Sequence, residues 1–173
     1  PSVILEMDLA AERLADAVVA GEGIAIFGDY DVDGATSSAL LARYLTAVGA
    51  RPMVYIPDRL TEGYGPNAPA MERLVSLGAK VIVTVDCGTQ AHDALEAAGN
   101  KGADVIICDH HLPAGTLPRA CAIVNPNRHD DTSGLGQLAA IGVTFLICVA
   151  LNRTLRLRGF FDKRLAPDLR NWL

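Results

Sequence analysis

Three short apolar runs in this chain stop abruptly at an aspartate-bearing cluster, and helix-like segments separate them. The first run leads through Gly23–Tyr30 into Gly28-Asp29-Tyr30-Asp31-Val32-Asp33-Gly34, the second ends at Asp86-Cys87-Gly88, and the third at Asp109-His110-His111. Short Val/Ile-rich runs alternating with helical periodicity predict βαβ units, hence an α/β fold with a parallel or mostly parallel sheet covered by helices on both faces. In such sheets ligands gather at the carboxyl ends of the strands, so a polar cluster at three strand ends bears on function.

The periodicity predicts helices over residues 8–20, 35–48, 68–77, 91–100 and 137–157, with Gly34 opening the second. Strands are predicted over residues 23–30, 53–56, 81–86, 105–109 and 123–124. Residues 125–136 read as a loop, and Pro167 breaks any helix in the irregular stretch 159–173. The chain has 173 residues, half of them apolar, which is enough for one domain with a sizeable core. We find no solenoid repeat, no leader-like basic-then-apolar start, and no apolar run of roughly 18 residues, and so expect a cytoplasmic protein with no membrane partner. Cys87, Cys108, Cys121 and Cys148 lack CxxC spacing and read as free, largely buried thiols.

A net charge of −5 argues superficially against a nucleic-acid partner. Its distribution changes that reading. Residues 151–173 carry six basic and two acidic residues, a local +4, which leaves −9 for the remainder. Many of those negative charges crowd the strand ends, where a divalent cation would neutralise them. Asp31 and Asp33 can direct carboxylates to one side of an extended segment, while Asp86 and His110 add ligands from neighbouring strand ends. Hard oxygen donors with an imidazole suit manganese or magnesium. Each motif also has a bland explanation: an isolated DxDG is often a solvated turn, and His-His before Pro113 a surface turn. Coincidence at all three strand ends is what that explanation fails to cover. His92 and His129 have no comparable neighbours and read as surface residues.

The ordered set DYDVDG, DCG, DHH with a following LP, and IVNPN resembles the DHH phosphoesterases. The segment Tyr55-Ile56-Pro57-Asp58-Arg59 leading into Glu62-Gly63-Tyr64-Gly65 is similar to the RecJ-type exonucleases within that family. The resemblance implies a two-metal centre of Mn²⁺ or Mg²⁺ held by Asp31, Asp33, Asp86 and His110, with Asp86 bridging. It implies that Asp29 and Asp109 assist, that His111 faces the scissile phosphate, and that Arg59 contacts phosphate. The implied reaction is hydrolysis of single-stranded DNA from its 5′ end in recombination and repair, with a single-strand-binding protein and a helicase as candidate partners. The family pattern has a fourth aspartate motif, a second smaller domain and, in RecJ-type members, a nucleotide-binding barrel. None of these occurs within residues 1–173, so the sequence reads as a C-terminally truncated catalytic domain short of one metal ligand, and impaired nuclease activity is expected of this stretch alone. Two other readings remain open: another DHH hydrolase, acting on short oligonucleotides or cyclic dinucleotides, and a non-catalytic DHH-fold scaffold in a replication or repair assembly. A dinucleotide-binding fold is disfavoured, since no GxGxxG follows the first strand.

Overall fold

The computed structural model describes residues 3–172. In chain order it contains α1 (Met7–Ala20), β1 (Gly23–Gly28), α2 (Val32–Ala47), β2 (Met53–Tyr55), α3 (Ala68–Ser76), β3 (Ala79–Val85), α4 (His92–Asn100), β4 (Asp104–Cys108), β5 (Ala122–Val124) and α5 (Ala140–Leu157). A single 3-10 turn, Leu169–Asn171, follows in the otherwise irregular end of the chain. The five strands form one sheet in the order β2-β1-β3-β4-β5, and every neighbouring pair is parallel.

Side-chain alternation along the strands builds the two layers. Ile24 and Ile26 of β1, with Val81, Val83 and Val85 of β3, point into a core closed by α1, α2 and α5. Ala25 and Phe27, with Ile82 and Ile107, point to the opposite face and pack on α3 and α4 through Met71, Leu74 and Leu95. From β1 the chain first steps to one side, to β2, and then crosses back to place β3, β4 and β5 on the other. The β1/β3 boundary is therefore the point where the strand order reverses, and a crevice forms there beyond the carboxyl ends.

Several boundaries differ from the sequence reading, four of them at the ends that face the aspartate clusters. Helix α2 begins at Val32, two residues before Gly34, because the Asp31 carboxylate accepts the Gly34 N–H at 2.9 Å and caps it. Strands β3 and β4 end one residue before Asp86 and Asp109, which sit in the loops beyond. Helix α5 begins at Ala140, not Gln137, and its cap comes from a distant element described below. By length and mean hydropathy, 1.5, α5 could cross a membrane; here Val143, Ile147, Leu151 and Leu155 are buried against α1 and α2.

The basic C-terminal segment proves to be largely paired. Arg153 meets Asp8 at 2.6 Å, Arg158 meets both Asp16 and Glu12, and Arg170 meets Asp168. Arg156 and Arg164 lie over the rings of Phe161 and Phe160. Asp8, Glu12 and Asp16 of α1 thus offset most of the local +4.

The outer edge of β5 is closed by side chains. Glu6 accepts the Ile123 N–H at 2.6 Å, the buried Arg128 donates to the Ile123 carbonyl at 2.8 Å, and these two side chains pair at 2.9 Å. Together they occupy the hydrogen-bonding groups that an added strand would use.

Candidate metal centre

The loops after β1, β3 and β4 meet at the order-reversal point, and each presents its aspartate inward. Asp29 follows β1, is buried at 3% exposure, and its Oδ1 has no hydrogen-bond partner. Asp86 follows β3, is 1% exposed, and neither of its carboxylate oxygens accepts a hydrogen bond. Burial and the neighbouring Asp31 and Asp33 carboxylates push Asp86 up to about 8. Asp86 also adopts a left-handed backbone, φ 62°, a conformation that aspartate tolerates better than most residues and that is typical of functional turns.

Two overlapping groups result. Ligand atoms of Asp29, Asp31 and Asp86 lie within 4.8 Å of one another, as do those of Asp86, His110 and His111. Asp86 is common to both. A buried carboxylate with neither oxygen hydrogen-bonded, flanked by further carboxylates and an imidazole, is a donor set that a divalent cation completes. Among the described residues no other group of this kind occurs. A larger groove of about 630 Å³ beside α4 and β4, lined by His92, Glu96, Arg119 and Cys121, assembles none.

Two glycines make the approach feasible. A Cβ on Gly34 would stand 2.5 Å from the Asp29 carbonyl oxygen, so the glycine lets α2 start directly against the β1 loop. Gly88 has φ 113°, and a Cβ there would stand 2.4 Å from Thr84 Oγ1.

The remaining expected residues divide by what they touch. His110 Nε2 stands 3.2 Å from Asp86 Oδ1 and 3.8 Å from Asp33 Oδ2. Asp33 has a second occupation: its two oxygens accept the N–H groups of Ala140 and Ile141 at 2.8 and 2.9 Å, capping α5 from across the molecule. The structure therefore places Asp33 beside His110 but outside the two tightest groups. Asp31 combines its cap on α2 with membership of the first group, and the Gly34 hydrogen bond holds its carboxyl below the usual range.

Asp109 is an orienting group. Its Oδ1 meets His111 Nδ1 at 2.7 Å and accepts the His110 and His111 N–H groups, while Oδ2 accepts from the Thr89 N–H and hydroxyl. Burial raises the Asp109 pKa, but the hydrogen bonds from His111 and Thr89 outweigh it and hold the carboxyl below its ordinary value. The same contact raises His111, which favours the imidazolium. His111 opens onto a cleft of about 460 Å³ that it shares with Asp29, Asp31, Tyr64, Thr89 and Asp109.

Arg59 does not line this cleft; its guanidinium lies 5.3 Å from the Tyr30 ring centre. Tyr64 stands edge-on to both Tyr30 and His111. Sequence reasoning assigned no role to Tyr64, Thr89, Asn125 or Asn127. Asn125 follows a strand end as the three aspartates do, and that position was the signal available for it.

The model of the DHH family, N-terminal domain, matches residues 23–165. The chain belongs to the DHH family. It is 41% identical over 159 residues to the single-stranded-DNA-specific exonuclease RecJ of Escherichia coli, a match that covers 91% of this chain and 28% of that protein. Among solved structures, exonuclease RecJ bound to manganese superposes with a TM-score of 0.81 at 32% identity, covering 96% of this chain and 41% of that one. RecJ in complex with Mn²⁺ from Thermus thermophilus gives 0.73 at 31% identity, covering 95% and 22%. The chain therefore spans less than a third of the E. coli relative's length, and its five-stranded parallel sheet is the DHH domain fold.

Proposed function

We propose that residues 1–173 form a DHH catalytic domain that hydrolyses phosphodiester bonds of single-stranded DNA with two Mn²⁺ or Mg²⁺ ions. The observation that carries this reading is Asp86, a buried carboxylate without hydrogen bonds, shared by two groups of potential ligands at the sheet's order-reversal point. Asp31, Asp86 and His110 would hold the ions, with Asp29 and Asp33 alongside. Bound ions of this kind supply an acidified water as nucleophile and positive charge against the phosphoryl oxygens.

The protein's own side chains complete the site. His111, oriented by Asp109 and with its pKa raised by that contact, faces the cleft and stabilises charge on a phosphoryl oxygen. Asp109 and Thr89 fix the loop that carries both histidines. Exposed Tyr64 beside Tyr30 offers aromatic surface to unpaired bases at the cleft mouth, and Arg59 places a cation beside Tyr30. The names of the relatives support single-stranded DNA as substrate, and the 5′ polarity rests on the same resemblance. A nuclease restricted to unpaired strands works with a helicase that opens duplex and a protein that coats single strands. Four free cysteines fit a cytoplasmic location.

The test combines thermal unfolding with and without Mn²⁺ and hydrolysis of 5′-labelled single-stranded DNA at protein excess. Mn²⁺ should raise the unfolding temperature and support release of labelled product, with both effects lost in Asp86→Asn and His110→Ala and kept in His92→Ala. An equal loss in His92→Ala would overturn the assignment.

A further inference from the structure

The loop after β5 supplies two asparagines that grip the histidine-bearing loop from behind. Asn127 Nδ2 donates to the His110 carbonyl at 2.6 Å and to the Gly136 carbonyl at 3.0 Å. Asn125 Nδ2 donates to the His111 carbonyl at 2.9 Å and to Thr89 Oγ1 at 3.1 Å, and its Oδ1 accepts the Asn127 N–H at 2.8 Å. Asn125 is completely buried, and its amide group is hydrogen-bonded at both ends. The space is made for this contact: a Cβ on Gly136 would stand 2.4 Å from Asn127 Oδ1.

We propose that Asn127 and Asn125 are positioning residues, Asn127 setting His110 toward the metal and Asn125 setting His111 toward the phosphate; this rests on the metal-centre reading above. Asp109 already accepts the N–H groups of both histidines and binds the His111 ring. The asparagines take the carbonyls of the same two residues. With N–H groups and carbonyls both fixed, the peptide planes cannot rotate, and the Cα–Cβ direction of each histidine is set before any ligand arrives. Thr89 joins the two systems, since its hydroxyl donates to Asp109 and accepts from Asn125. The loops following β3, β4 and β5 therefore behave as one hydrogen-bonded unit.

Carboxylate replacements separate donation from packing, because Asn→Asp keeps the shape and removes the two N–H donors. The experiment is a Mn²⁺ titration of the metal-free protein followed by electron paramagnetic resonance of the free ion, with folding checked by circular dichroism. Asn127→Asp and Asn127→Ala should each weaken Mn²⁺ binding by about tenfold or more, the usual effect of losing a group that orients a ligand. Asn125→Asp should move the His111 ring signals in ¹H–¹⁵N spectra of the metal-free protein and leave those of His92 and His129 in place. Asn152→Ala removes the hydrogen bond from the Tyr44 hydroxyl, far from the site, and serves as the control for general destabilisation. It should leave Mn²⁺ affinity unchanged. The proposal is overturned if the unsubstituted protein binds Mn²⁺ and Asn127→Ala binds it equally well, or if Asn152→Ala weakens binding as much. Failure of the unsubstituted protein to bind Mn²⁺ would instead remove the metal centre itself.

Discussion

Replacing Asp86 by asparagine removes a buried charge that the metal-free fold tolerates poorly, and the consequence should appear as a change in pH dependence. In the folded chain Asp86 keeps its proton up to about pH 8, whereas in the unfolded chain the carboxyl ionises near its ordinary value of about 4. Between those limits the native state binds more protons than the unfolded state, so stability falls as pH rises. A separation of about four pH units corresponds to a loss on the order of 5 kcal/mol across pH 4 to 8, a large part of a typical domain's stability. Asp86→Asn lacks this titration. Its amide is left buried and short of partners at a cost of about 1–3 kcal/mol, but that cost is the same at every pH. Urea unfolding in EDTA at pH 4, 6 and 8 should therefore show the unsubstituted protein losing several kcal/mol that Asp86→Asn does not lose. Mn²⁺ at pH 8 should restore the unsubstituted protein alone, because the cation replaces the proton. Parallel stability curves for the two proteins in EDTA would refute the reasoning.

Asp33→Ala should lower the stability of the metal-free protein by about 2 kcal/mol through loss of the α5 cap, with Asp33→Asn losing less because its amide oxygen still accepts; urea midpoints in EDTA measure both. Asp109→Asn should return the His111 pKa toward its ordinary value, since the carboxylate is the main cause of the rise, and an NMR titration of the histidine C2–H signals reads it directly. The His111–Asp109 pair stabilises the fold below pH about 6.5 and loses its effect as pH rises through the elevated folded value. Arg128→Ala strips the Ile123 carbonyl of its hydrogen-bond donor and Glu6 of its cationic partner, for a loss of about 1–3 kcal/mol. Concentration-dependent light scattering should also rise in that variant as the strand edge opens.

Much of the fold was legible because the strands are short, Val/Ile-rich and separated by helices with clear periodicity, so that the parallel two-layered sheet followed from the pattern. The aspartates were legible for a related reason. Charged residues at the ends of buried strands have no use in packing, and three such ends converge. What stayed hidden depends on contacts between distant segments. Asp33 caps α5 more than a hundred residues away, and no local pattern near Ala139 announces a helix start because the capping side chain is not local. The basic excess of residues 151–173 suggested open charge, yet its partners Asp8, Glu12 and Asp16 belong to α1 and meet it only in the folded chain.

Asp33 also shows why these two kinds of information belong together. It stands 3.8 Å from His110 on one side and holds the first turn of α5 on the other. Helix α5 packs along α1 and α2 for much of its length, so the carboxylate that borders the candidate metal centre also fixes one layer of the fold. Asp31 has the same double character through its cap on α2. Neutralising either aspartate therefore acts on a helix terminus and on the site at once, and activity alone would conflate the two effects. Stability measured in EDTA isolates the helix contribution, and the further change produced by Mn²⁺ isolates the contribution to the site.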